Sequence, residues 1–234
     1  MSNSYFAFKQ FVVHHDRCAM KVGTDGVLLG AWAPVEGVRR VLDVGTGTGL
    51  IALMLAQRSG AQITAIDIDE GAVEQARINV DASDWNSRIE VVEGDFTTLS
   101  VAEKFDLIVS NPPFFVDALK CPDKQRNKAR HTDMLPFEKL ISQSAEMLEE
   151  NGMFAVVIPA DAAPSFITMA KEFSLYVQRC TRVIPTVGAA PKRMLLNFVK
   201  QPVEPQEDDL LVELSRHVYS ADYVALTKDF YLKM

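Results

Sequence analysis

The chain has no run of about eighteen apolar residues, the length a membrane-spanning helix needs. Its first ten residues, MSNSYFAFKQ, lack the basic start and apolar stretch of a secretory signal. Cysteine is scarce. Cys18, Cys121 and Cys180 have neither paired nor metal-ligand spacing, which predicts reduced thiols in the cytoplasm and no metal site. The four histidines (His14, His15, His131 and His217) form no nucleophile–base pattern and read as surface or locally satisfied groups. Net positive charge is missing too. A formal charge of −7 argues against a protein that coats nucleic acid non-specifically, but leaves local basic patches open. One patch gathers Lys120, Lys124, Arg126, Lys128, Arg130 and His131, and a second Arg179, Arg182, Lys192 and Arg193. Acids concentrate at Glu204, Glu207, Asp208, Asp209 and Glu213.

What is present is enough apolar material, 48% of 234 residues, for one continuous core. Short apolar runs at 41–44, 62–68, 88–92, 105–109 and 153–158 alternate with helical spacing at 50–57, 71–80 and 137–148. Gly152 punctuates the chain before the fifth run. This alternation predicts an α/β fold, a Rossmann-like, mostly parallel sheet with helices on both faces. Further on, a helix is expected over 161–172 and strands over 175–184 and 194–200. The link between those two strands is too short for a crossover helix, so they should be antiparallel. Residues 201–209 read as an acidic surface loop, 210–218 as a strand and 223–230 as a terminal helix. The expected organisation is a single domain over 1–234, with a lid or substrate segment (1–40), a cofactor-binding and catalytic core (41–200) and a C-terminal extension (201–234).

The first motif is LDVGTGTG at 42–49. Gly45, Gly47 and Gly49 stand between a strand and a helix, where a tight turn lets a ligand approach backbone amides. The third glycine comes one residue earlier than in the dinucleotide fingerprint, which argues against a pyrophosphate cofactor; a turn without a ligand is the alternative. Asp67 ends the second strand, where a carboxylate can accept both ribose hydroxyls of an adenosine moiety. Asp43 can meet the cationic amino group of an amino-acid cofactor, Asp95 can accept from an adenine amine, and Phe96 can line the same pocket.

The second motif, Asn111-Pro112-Pro113-Phe114, follows the fourth strand at the same sheet edge. Two prolines stiffen the turn and leave carbonyls without competing amides. The Asn111 amide oxygen and the Pro112 carbonyl can accept from a planar amine while Phe114 stacks on its ring. Such an amine is a poor nucleophile, and two acceptors would aim its nitrogen at a sulfonium methyl without a strong base or metal. A rigid loop with no such role is the alternative.

Together these two motifs resemble the class I amino methyltransferases. The segments KQF (9–11), MKVGTDGVLLGAW (20–32) and PKRMLLNF (191–198) bring the chain closer to the bacterial tRNA (adenine-N6)-methyltransferases that act on adenosine 37 of tRNA1(Val). That resemblance implies seven strands with one antiparallel member, S-adenosyl-L-methionine as methyl donor, and tRNA, through its anticodon loop, as partner. It also implies a lid at residues 21–25, with Lys21, Thr24 and Asp25 as cofactor contacts, and tRNA contact by Lys192 and Arg193. A guanine-N2 rRNA enzyme or a protein-glutamine enzyme would share the NPPF turn. The first usually has two domains and a longer chain; the second usually needs an N-terminal helical module, for which the residues before 41 are too few.

Overall fold

The computed structural model describes residues 3–17, 21–100, 102–113 and 135–233. Phe114, Cys18, Cys121 and the basic cluster at 120–131 with His131 lie outside the described residues. An antiparallel hairpin of β1 (Tyr5–Ala7) and β2 (Val12–His14) comes first, then helix α1 (Thr24–Trp32). The parallel series follows: β3 (Arg40–Val44), α2 (Leu50–Arg58), β4 (Gln62–Asp67), α3 (Glu70–Asp81), β5 (Ile89–Glu93) and β6 (Phe105–Ser110). Beyond it come α4 (Phe137–Met147), β7 (Leu148–Pro159), α5 (Ala163–Glu172), β8 (Tyr176–Thr186), β9 (Arg193–Val199), β10 (Gln206–Ser215), β11 (Val218–Tyr219) and α6 (Ala221–Thr227).

Nine strands make one sheet in the order β11-β10-β8-β9-β7-β6-β3-β4-β5. β3 pairs in parallel with β4 and β6, Val41 standing beside both Ile63 and Leu107, and the parallel set continues to β5 and β7. β9 runs antiparallel to both β7 and β8. β3, β6 and the second half of β7 are buried on both faces, so they read as continuous apolar runs rather than alternating ones. On one face α1 and α2 pack Val27, Leu28, Leu29 and Leu53 against Val157 and Leu195. On the other, Leu140, Ile141 and Phe166 of α4 and α5 meet Leu42, Ile108, Phe154 and Phe198. Each such side chain contributes roughly 1.5–3 kcal/mol when fully buried. The carboxyl ends of β3 to β7 therefore share one edge.

Three expectations need correction. The sheet has nine strands, because β10 and β11 extend the seven implied by the resemblance. The acidic stretch is not all loop. β10 begins at Gln206 and lies parallel to β8, where Asp208 accepts from Arg179 (3.0 Å) and Arg182 meets Asp209 (2.5 Å) and Glu207 (3.2 Å). Cross-strand pairing of opposite charges turns a charge run into a strand. The same pairs offset the charge of Arg179 and Arg182, two of the four residues of the second basic patch. Gly152 lies inside β7, at a register shift between Leu148 and Met153. A Cβ there would come within 2.9 Å of the Phe105 carbonyl and of Leu148 Cδ2, so the bulge requires glycine.

Candidate active site

The glycine turn joins β3 to α2. Gly45, Gly47 and Gly49 all have positive φ (70°, 56° and 79°), a region that disfavours any side chain. A Cβ at Gly45 or Gly47 would meet nothing within 4 Å, so the space above the turn is open; at Gly49 it would press on Ala76 at 3.4 Å. The Gly45 and Thr46 amides both donate to Ile66 O, at 2.9 and 3.0 Å, which fixes the turn against the end of β4.

Asp67 stands at that end. Its Oδ2 accepts from the Gly47 amide (2.8 Å) and its Oδ1 from the Asp69 amide (3.0 Å), which orients the carboxylate. Each oxygen keeps a lone pair for a further donor such as a ribose hydroxyl. Asp43 is fully buried beneath the turn. Its Oδ2 accepts from Thr46 Oγ1 (2.6 Å) and from the Ala52 amide (3.2 Å), while its Oδ1 is buried without a partner. Burial pushes its carboxyl up from 3.8 to about 7; the bonds from Thr46 and Ala52 oppose the rise and the charge of Asp67 adds to it. A bound cation would relieve both effects. Open space over the turn, an orphaned buried acceptor and an oriented carboxylate together fit a cofactor that carries an ammonium group and a ribose.

Asp95 is exposed at the end of β5, and its Oδ1 caps the turn at Phe96–Thr98 by accepting from Thr97 N and Oγ1. Phe96 is a correction. Its side chain packs in the core with Leu42, Val44 and Ile66 instead of lining a pocket, because this short turn directs it beneath the sheet edge.

β6 ends at Ser110, and Asn111 and Pro112 follow at the same edge, half-buried and buried. Ser110 is one of two residues that the sequence did not single out. Its buried hydroxyl donates to Val44 O at 2.9 Å and ties the start of the proline turn to the start of the glycine turn. Asn79 of α3 was missed as well. It accepts from the His14 amide (2.9 Å) and donates to the carbonyls of His14 (2.9 Å) and Thr48 (2.8 Å), so it fastens the N-terminal hairpin to the glycine turn. A buried polar residue in an otherwise apolar helical pattern was the available signal for it.

Thr24 and Asp25 open α1, whose Gly26 abuts Leu50 at the start of α2; Lys21 and Thr24 are exposed. Asp25 does not stand alone. Its Oδ2 accepts from Arg193 Nε at 2.7 Å, which joins one expected cofactor contact to one expected RNA contact. Lys192 is exposed at the start of the β9 edge. Among the described residues no group of three or more His, Cys, Asp or Glu side chains is placed to hold a metal ion.

Comparison with known proteins agrees with this arrangement. The methyltransferase small domain family matches residues 23–182. A tRNA1(Val) (adenine(37)-N6)-methyltransferase of Phocaeicola vulgatus is 57% identical over 234 residues, 100% of both chains, and that of Bacteroides thetaiotaomicron is 54% identical with the same coverage. Among solved structures, a predicted O-methyltransferase from Agrobacterium tumefaciens has a TM-score of 0.68 at 20% identity, over 88% of this chain and 96% of that one, a likeness of fold. The chain belongs to the methyltransferase small domain family and, within it, to the tRNA1(Val) (adenine(37)-N6)-methyltransferases.

Proposed function

We propose that this protein transfers a methyl group from S-adenosyl-L-methionine to the N6 amine of adenosine 37, beside the anticodon of tRNA1(Val). The observation that carries the reading is full-length identity of 57% to a methyltransferase of that name, on a site that places the proline turn beside the glycine turn. Rival acceptors, guanine N2 or a protein glutamine, share the turn but not that identity. No helix among the described residues is long and apolar enough to cross a membrane, and the reading places the enzyme with its tRNA in the cytoplasm.

Asp67 holds the ribose hydroxyls, the open space over Gly45 and Gly47 takes the amino-acid end, and Asp43 faces the ammonium directly or through water. Asp95 takes the adenine amine with its remaining oxygen, while Lys21, Thr24 and Asp25 cover the site from the start of α1. When bound, the cofactor supplies an electrophilic methyl group on a sulfonium. Asn111 Oδ1 and the Pro112 carbonyl would accept the two amine hydrogens and aim the nitrogen lone pair toward the methyl group. Positive charge would grow on the nitrogen as it takes up the methyl group, and those two acceptors would stabilise it. One amine proton then leaves to solvent and restores a neutral N6-methyl amine. Phe114 stacks on the adenine, which must leave the anticodon-loop stack, at a cost smaller than in paired RNA. Lys192 contacts phosphate.

The test is transfer of labelled methyl to total RNA and total protein from cells lacking the enzyme, followed by nucleoside analysis. Label in N6-methyladenosine of tRNA1(Val) is the expected result; label in guanosine or in protein overturns the reading.

A further inference from the structure

The Asp25–Arg193 pair joins residues far apart in sequence at one place on the carboxyl edge. Arg193 opens β9 opposite Pro159, the last residue of β7, so it stands at the same edge as the glycine and proline turns. Two described points place the N-terminal segment near that edge. The Arg17 amide donates to Gln75 Oε1 at 2.9 Å, and a Cβ on Gly71 would lie 2.9 Å from Arg17 O, so residue 17 rests against the first half of α3, whose start follows Asp67. At residues 24–26 the chain is against the start of α2, directly after Gly49. It is thus held by α3 at residue 17 and by α2 at Gly26. On the α2 side the ion pair to β9 ties the first turn of α1 to the sheet, in addition to the packing of that helix on Val157 and Leu195 and the bond from Trp32 Nε1 to Thr181 Oγ1.

Arg193 is poorly disposed to bind RNA. Nε is engaged by Asp25 and Nη1 by the Lys192 carbonyl at 3.0 Å, and the side chain is about one-third exposed. An incoming phosphate would also meet the Asp25 carboxylate, a like charge in contact with the same guanidinium. Lys192, its exposed neighbour, meets neither obstacle.

From this geometry we infer that Arg193 is a positioning residue for the cofactor, acting through Asp25, and not a contact for tRNA. The pair fixes residues 21–25 at the start of α1 over the cofactor site. This rests on the reading that the glycine turn and Asp67 hold S-adenosyl-L-methionine.

Calorimetric titration with S-adenosylhomocysteine, without RNA, tests it. Arg193→Met and Asp25→Asn should each weaken binding on the order of 10-fold, a loss typical of breaking a partly buried charge-assisted bond. The exchanged pair Asp25→Arg/Arg193→Asp should recover most of that loss, which a generally damaged fold would not. Arg193→Lys keeps the charge without the planar fork and should fall between. In parallel, tRNA affinity without cofactor should stay within about twofold for Arg193→Met while falling in Lys192→Met. The inference is overturned if Arg193→Met binds S-adenosylhomocysteine as the parent does, or if it loses tRNA affinity as Lys192→Met does. Failure of the exchanged pair and of Arg193→Lys to recover any affinity overturns it as well. Asp67→Ala separates the two levels: if it also leaves S-adenosylhomocysteine binding unchanged, the cofactor site itself is misplaced; if it weakens binding while Arg193→Met does not, only the positioning role fails.

Discussion

Replacing Asp43 with asparagine should move stability and cofactor affinity in opposite directions. The carboxyl is fully buried, and its ionisation is pushed from 3.8 to about 7 by burial, despite hydrogen bonds from Thr46 and Ala52. A group whose folded value lies above its unfolded value contributes stability that is complete below about pH 4 and is lost as pH rises toward 7. At about 1.4 kcal/mol per pH unit, holding the charge costs the folded protein roughly 4 kcal/mol at pH 8. Asp43→Asn removes that cost but leaves an amide N–H₂ where Oδ1 now lies unpartnered, at about 1–3 kcal/mol. Without cofactor, the variant should therefore be more stable than the parent at pH 8 by roughly 1–3 kcal/mol. Between pH 5 and pH 8 its advantage should grow by roughly 3 kcal/mol, or about 6–12 °C in melting temperature for a chain of this size. Comparing variant with parent cancels the groups they share. Thermal melts at the two pH values, paired with calorimetric titration of S-adenosylhomocysteine, give both readouts, and affinity should fall because the anion facing the ammonium is gone. Parallel pH profiles for the two proteins would refute the reasoning, as would a variant that melts lower at pH 8.

Asn111→Ala should bind S-adenosylhomocysteine and tRNA like the parent yet transfer methyl on the order of 10²-fold more slowly in single-turnover assays, since its acceptor acts as charge develops on nitrogen. A near-parental rate would return the proline turn to a structural role. Gly152→Ala should lose roughly 1–3 kcal/mol in denaturant unfolding, because the new methyl meets Phe105 O and Leu148 at 2.9 Å; an unchanged midpoint would show that the bulge relaxes freely. For Lys192→Met, the slope of log affinity for tRNA against log salt should fall by about one, and an unaltered slope would remove Lys192 from the RNA surface.

The parallel series could be read because both-face burial makes its strands apolar runs, and because glycines and prolines mark the two turns at their ends. α1 could not. Residues 26–32 are buried all round, so no amphipathic period announces the helix. Its Gly30 is explained only by Met54, whose Sδ would lie 2.7 Å from a Cβ there. β1 and β2 are three residues each, too short to show alternation. The places of Asp43, Asp67 and Asn111 at or beside strand ends were legible from the apolar runs that lead to them. Phe96 was misread because a strand-end aromatic can turn toward the core as easily as toward a ligand. The Asp25–Arg193 pair was hidden because 168 residues separate its partners in sequence, and only the sheet brings them together.

The hydroxyl of Ser110 against the Val44 carbonyl has a wider consequence. It locks together the tips of two neighbouring strands, whose spacing of about 4.8 Å is a constant of sheet architecture. In the proposed reaction, donor and acceptor of the methyl group are thereby held to a ruler that no substrate can stretch. Any planar amine laid on the turn would arrive at a similar distance, so this part of the enzyme measures but does not choose. Choice must be exercised by parts outside the ruler, and these can be exchanged for others without recalibrating the distance over which the methyl travels.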